Sequence, residues 1–216
     1  MDENKETLNN HLAIIFDEVL PALTGAGIKY WVFGGVGIAG IVGRFLRDNK
    51  DIDVYIVEDD FTKAELVLKN LVEKHGDWDA DTWALSYSMM KKTRRPKLEI
   101  SIKGVERFSL VPVYKVADSV EFRVKEIFKL PSEALIQESK TIDEFTFFSP
   151  PNDVLLNMFR SLIERYIEHY NKPNPPDDNS RHIVDAMAVF TKEEVSDYVR
   201  RFNEKAKLAR VKMEAV

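Results

Sequence analysis

Apolar residues recur at helical spacing over residues 5–22, where Leu8, Leu12, Ile15, Phe16, Val19 and Leu20 fall near one face. Pro21, Gly25 and Gly27 then read as the end of that helix. A short apolar strand follows at 29–33, a helix from Gly35 to about residue 46, and a second strand at 52–57. Leu66, Leu68, Leu71 and Val72 give residues 61–74 a helical pattern. From Thr82 the texture changes to short segments at 84–90, 98–103, 108–114, 121–130 and 144–148, separated by turn-like or charged stretches. Strands so closely spaced predict hairpins, because a parallel crossover needs about a dozen residues or more.

Pro150-Pro151 breaks this pattern, and Asn152 or Asp153 offers an N-cap to an amphipathic helix over 154–170. Residues 172–180 (KPNPPDDNS) carry three prolines in nine positions and predict a loop. Two further helices are expected at about 182–190 and 192–207. The pattern as a whole predicts an α+β domain over 1–149, followed by a small helical domain over 150–216.

Composition narrows the classes. At 216 residues and 44% apolar, the chain can build one large domain, or a catalytic domain with a small partner. Basic residues number 31 and acidic residues 36, so no global positive field favours bulk nucleic-acid binding. The absence of cysteine excludes disulfides, thiolate metal sites and cysteine nucleophiles, and the reducing cytoplasm is the expected compartment. The polar start Met1-Asp2-Glu3-Asn4-Lys5 has no signal-peptide pattern. No apolar run approaches the roughly 20 residues needed to cross a bilayer. His11, His75 and His169 show no spacing for a zinc site.

The candidate chemistry lies in residues 30–60, YWVFGGVGIAGIVGRFLRDNKDIDVYIVEDD. Gly35-Val36-Gly37-Ile38-Ala39-Gly40 matches G-x-G-x-x-G between a strand and a helix, with Glu58 or Asp59 about 20 residues on. That is the layout of a dinucleotide site, as in an NAD-dependent oxidoreductase, but it calls for further βαβ units that the hairpin-like region after Thr82 does not supply. A second reading uses other residues. On a strand, Asp51 and Asp53 project to one face, and two carboxylates so placed repel unless a cation lies between them. Hard oxygen ligands of this kind suit a divalent ion. Gly34-Gly35 stands where a strand hands over to a helix, so free amides and the positive helix end meet there without side chains to keep a phosphate away. A third carboxylate is offered by Glu99, because Leu98, Ile100 and Ile102 alternate with Glu99, Ser101 and Lys103. Residues 91–97 carry five positive charges in seven positions, either a solvated turn or a patch for triphosphate or RNA. Trp78 and Trp83 could stack on a base or pack in the core.

Gly34-Gly35, a short helix, and then Arg47-Asp48-Asn49-Lys50-Asp51-Ile52-Asp53 resemble the signature of the polymerase-beta-type nucleotidyltransferase superfamily. The local form is similar to minimal nucleotidyltransferases, both the antibiotic-modifying ones and the abortive-infection (AbiEii-like) toxins. Asn49 stands where Thr or Ser is common, and Glu99 falls where the family places a third acid. Arg181-His182-Ile183-Val184-Asp185 loosely resembles the Arg/Lys-x-x-Asp element of such toxins, with three residues rather than two between the arginine and the aspartate, whereas the preceding Leu156-Asn157-Met158-Phe159-Arg160 lacks their lysine, leaving Arg160 or Arg165 in its place. The resemblance implies a nucleotidyltransferase-like mixed sheet with flanking helices. It also implies a cytoplasmic, ATP- or other NTP-using enzyme that transfers a nucleotidyl group with release of pyrophosphate. Asp51, Asp53 and Glu99 would hold two Mg²⁺ ions, while Gly34, Gly35, Arg47, Arg181 and Asp185 would contact the nucleotide. The acceptor would be RNA, protein or a small molecule, with an antitoxin as partner if the protein is a toxin. The alternative is a catalytically degenerate module that binds nucleotide or RNA.

Overall fold

The computed structural model describes residues 9–85, 95–123 and 127–214, with side chains for 9–81, 97–122 and 128–211. The chain divides into two compact units, Met1–Val154 and Leu155–Val216.

The described part of the first unit opens with a helical stretch: a 3-10 turn Asn10–Leu12, a π-helix Ile15–Val19 and α1 (Leu20–Gly25). Pro21 does not stop this helix, contrary to the sequence pattern. It sits in the first turn of α1, where a missing N–H is tolerated, and the wider π-helical turn precedes it. Then come β1 (Tyr30–Phe33), α2 (Gly34–Val42), β2 (Ile52–Val57) and α3 (Phe61–Val72). The second helix is shorter than expected because Gly43, at φ 79°, takes the left-handed conformation that ends it. After β3 (Trp78–Leu85), β4 (Arg95–Ile102) and β5 (Val105–Val116), the chain forms two hairpins, β6 (Ser119–Arg123) with β7 (Ile127–Pro131), and β8 (Glu138–Ile142) with β9 (Phe145–Ser149). The segment expected as one strand at 121–130 is thus the first of these hairpins.

The main sheet runs β1-β2-β5-β4-β3, with β6 on β5 and β7 beyond it. Among the described strands only β2 and β5 pair in parallel; the other neighbours are antiparallel, as the close spacing after Thr82 predicts for the strands of that region. One face of the sheet makes the core. Ile52, Val54 and Ile56 of β2 pack with Leu98, Ile100, Phe108 and Leu110 under Leu12, Ile15, Val19 and Leu23 of the helical entry and Ala64 and Leu68 of α3. Each large aliphatic or aromatic side chain so buried contributes about 1.5–3 kcal/mol. At the β1 end the opposite face is also covered. There Trp31 stacks on Tyr55 with ring centroids 5.3 Å apart, and Phe33 meets Phe122 edge-on at 5.1 Å. The Tyr55 hydroxyl, deep in this cluster, donates to the Ala134 carbonyl at 2.5 Å. Helix α2 lies against the β8–β9 hairpin so closely that a Cβ on Gly40 would fall 2.9 Å from the Phe147 ring.

The second unit comprises α4 (Asn152–Glu168) from its second turn onward, α5 (Arg181–Val189) and α6 (Lys192–Glu214). Phe202 of α6 is fully buried against Tyr166 and Tyr170, and Arg201 makes a two-pronged ion pair with Glu164. Thr191 and Glu194 form a reciprocal capping box at the start of α6, with bonds of 3.2 and 3.0 Å. No helix among the described residues is long and apolar enough to cross a membrane.

Candidate active site

The site is built where β1 hands over to α2. Gly34, with φ +66°, adopts a backbone conformation open chiefly to glycine, and this turns the chain sharply into the helix. A Cβ there would fall 2.7 Å from Oδ2 of Asp53, its neighbour across the β1–β2 ladder through the Phe33–Asp53 pair. A Cβ on Gly35 would collide with the Arg47 guanidinium and come within 2.5 Å of Asn49 Oδ1. The two glycines therefore admit an arginine, an amide and a carboxylate to one helix start. No side chain caps the N-terminus of α2, and its first turn holds no acidic residue, so the positive end of the helix is not offset from within its own turn.

The loop that carries Arg47 and Asn49 is held by residues almost 40 positions upstream. Asn9 donates to the Arg47 carbonyl at 2.9 Å and accepts from the Asn49 N–H at 2.5 Å. A ring nitrogen of His11 lies 2.7 Å from the Asn49 carbonyl. Asn9 is buried and takes φ 69°, a conformation asparagine tolerates better than most residues. Its place could not be read from the sequence, since nothing local distinguishes it from a surface asparagine. Asn9→Ala strands the buried Asn49 N–H, so a loss of about 1–3 kcal/mol is expected in urea unfolding.

The acids lie along one transverse row of the sheet. Phe33 on β1 pairs with Asp53 on β2, Asp53 with Ser109 on β5, Ser109 with Glu99 on β4, and Glu99 with Asp81 on β3. Directly paired residues point to the same face, so all five share the face opposite the core helices. Asp51 immediately precedes β2, two residues before Asp53. Glu99, by contrast, is two strands from Asp53, about 9–10 Å by strand spacing, with the buried Ser109 between them. Among the described residues no three acidic or histidine side chains are grouped to hold one ion.

The Glu99 carboxylate is instead engaged by the Lys97 ammonium, which also reaches Glu106 at 3.3 Å. Glu106 in turn bonds Lys50 at 3.1 Å. A register shift between Ile100 and Ser101 places Glu106 opposite Ser101, and so on the acidic face. Burial works against the charge on Lys97, but Glu99 and Glu106 outweigh it and hold the ammonium above its ordinary range. Burial likewise opposes ionisation of Glu106, yet Lys50 and Lys97 hold its carboxyl below the usual glutamate value. A depressed carboxyl stabilises the fold above its unfolded pKa and loses that contribution as pH falls through the folded one. The stability difference between the protein and Glu106→Gln is therefore expected to be full above about pH 4.3 and to vanish on further acidification, read as urea midpoints across pH.

The remaining candidates are dispersed. Arg181 is the exposed first residue of α5 and Asp185 is buried on the same helix, both in the second unit. Arg160 pairs with Glu194 at 3.1 Å and lies over the Phe190 ring. Trp78 is a core residue stacked on His75 at 4.0 Å. Residues 91–94 of the basic run and the Trp83 side chain lie outside the described residues. The dinucleotide reading of G-x-G-x-x-G is overturned. It requires a parallel βαβ unit, and β1 and β2 are antiparallel, with Tyr30 opposite Ile56.

The family model of aminoglycoside-2''-adenylyltransferases matches residues 16–107, which span α2, Arg47, both aspartates and Glu99. No curated protein sequence matches the chain. Among solved structures, ANT(2")-Ia in complex with adenylyl-2"-tobramycin is similar at 15% identity and a TM-score of 0.53, over 91% of this chain and 99% of that one. The lincosamide adenylyltransferase LnuA, lincomycin-bound, is similar at 11% identity and a TM-score of 0.53, over 85% and 99%. At these identities the likeness establishes the fold. The chain has the fold of the polymerase-beta-type nucleotidyltransferase superfamily, and over residues 16–107 it is similar to the aminoglycoside-2''-adenylyltransferases.

Proposed function

We propose that the protein is a Mg²⁺-dependent nucleotidyltransferase that moves NMP from an NTP to a small hydroxyl-bearing acceptor. The observation that carries this is the convergence of Gly34, Gly35, Arg47 and Asp53 at the uncapped start of α2. Backbone amides there would meet a phosphate without a Cβ of their own residues in the way, and Arg47 would offer it a bidentate partner. Magnesium is commonly held by one or two carboxylates, with substrate phosphates and water completing its shell. Asp51 and Asp53 supply that number of hard oxygen donors beside the phosphate position, so the donor set fits an ion arriving with a triphosphate. Bound there, the metal would offset the charge that develops on the transferring and leaving oxygens. A second ion would draw on Asp53 and Glu99. Roles for Arg181 and Asp185 in nucleotide contact rest on the resemblance of their motif alone.

Support for a small-molecule acceptor comes from the similar adenylyltransferases, whose structures hold adenylyl-tobramycin and lincomycin. The test is incubation with each α-labelled NTP, Mg²⁺ and a panel of aminoglycosides and lincosamides, alongside a cell extract. Pyrophosphate release with label on a small molecule supports the reading. Label on RNA or protein would turn it toward a toxin of a toxin–antitoxin pair, and nucleotide binding without release would leave a degenerate binding module.

A further inference from the structure

The acidic row has a cation of its own. Lys97 and Glu99 are two apart on β4 and share its polar face, and the Lys97 ammonium bonds the Glu99 carboxylate. Both side chains are about four-fifths shielded from solvent, with 21% and 23% exposure, so the contact is less screened than a surface pair. Glu106 bonds the same ammonium and is itself tied to Lys50, one residue before Asp51. The position directly between Asp53 and Glu99 is Ser109, whose short side chain leaves the space above β5 to the longer residues on either side. A glutamate two strands away can approach Asp53 only across that space, and its carboxylate is already committed to Lys97.

We infer that Lys97 is a built-in counter-cation to Glu99, and that Glu99 joins Asp53 as a ligand only when a divalent cation takes the place of the ammonium. Lys97 is then a positioning residue that sets the cation affinity of the resting protein. The inference rests on the reading of Asp53 and Glu99 as cation ligands. An ammonium and a metal ion on one carboxylate repel each other at close range, so each weakens the other's hold on Glu99. Loss of the lysine charge frees the acid; loss of the acid removes the gain.

The test is Mn²⁺ binding to the nucleotide-free 216-residue chain, followed calorimetrically, in the parent, Lys97→Met, Lys97→Arg and the double variant Lys97→Met/Glu99→Gln. Lys97→Met is expected to bind Mn²⁺ at least about tenfold more tightly than the parent, a change of one decade in Kd. Lys97→Arg keeps the charge and should stay near the parent, and the double variant should lose the gain. A Lys97→Met affinity equal to that of the parent overturns the inference, as does a gain that survives Glu99→Gln. Thermal unfolding of each variant confirms that folded protein is compared, and Lys97→Gln serves in place of Lys97→Met if the latter does not fold. Pyrophosphate release by the parent is measured separately. Release with an unchanged Lys97→Met affinity sinks this inference alone, whereas a Glu99-dependent Mn²⁺ gain without release supports it and sinks the enzymatic reading.

Discussion

Asp53→Asn is expected to lower NTP-dependent pyrophosphate release at least about a thousandfold, equivalent to about 4 kcal/mol in the barrier. The substitution keeps the shape of the side chain that lies against Gly34 and removes its charge. Asp53 reaches the α2 start directly, and it heads the row that continues through Ser109 to Glu99. A cation held there with a triphosphate would lose an anionic donor in the variant, while the β1–β2 and β2–β5 ladders do not depend on that charge. The thermal transition should be retained. Release at parental rates from Asp53→Asn would remove Asp53 from the chemistry and with it the proposed metal position.

Gly34→Ala has the second largest expected effect, and it separates backbone strain from site geometry. At φ +66° an alanine costs about 1–2 kcal/mol relative to glycine. Gly27 supplies the comparison: its φ is +71°, and a Cβ there would meet nothing within 4 Å. Both alanine variants should therefore show a similar loss in urea unfolding. Only at Gly34 does the added carbon meet Asp53 Oδ2, at 2.7 Å, and that oxygen is the movable end of a side chain. The clash is relieved by rotating Asp53 away, so the excess penalty falls on function rather than on the fold. NTP affinity and pyrophosphate release should drop at least about tenfold in Gly34→Ala and stay near parental in Gly27→Ala. Equal behaviour of the two variants would show that the Gly34–Asp53 approach has no functional weight.

The elements that carry the site were legible because their signals are local. β2 declares itself by Ile52, Val54 and Ile56 alternating with Asp53 and Tyr55, and the Gly34-Gly35 pair marks the strand-to-helix handover where the structure places it. β8 was not legible. Glu138-Ser139-Lys140-Thr141-Ile142 buries only its last residue and forms a strand because Phe145–Ser149 pairs with it. Pro21 misled for a related reason, since its effect depends on the π-helical register of the turn before it.

The sequence by itself determined which residues could do the chemistry: side-chain period along a strand and backbone freedom at a glycine are properties of a few consecutive positions. It placed Asp51 and Asp53 on one face and Gly34 at a helix start, and it offered Glu99 as an outward-facing acid. Only the tertiary structure decided how far apart those acids stand and what else holds them. Register across β2, β5 and β4 is set by burial of the whole apolar face, since a slip of one residue would turn Val54, Leu110 and Leu98 out of the core. That register puts Ser109 between Asp53 and Glu99. The partnership of Glu99 with Lys97 and Glu106, and the hold of Asn9 on the Arg47–Asn49 loop, join residues up to 40 positions apart. No local pattern encodes such pairs, because they form only once the core has brought their strands and loops together.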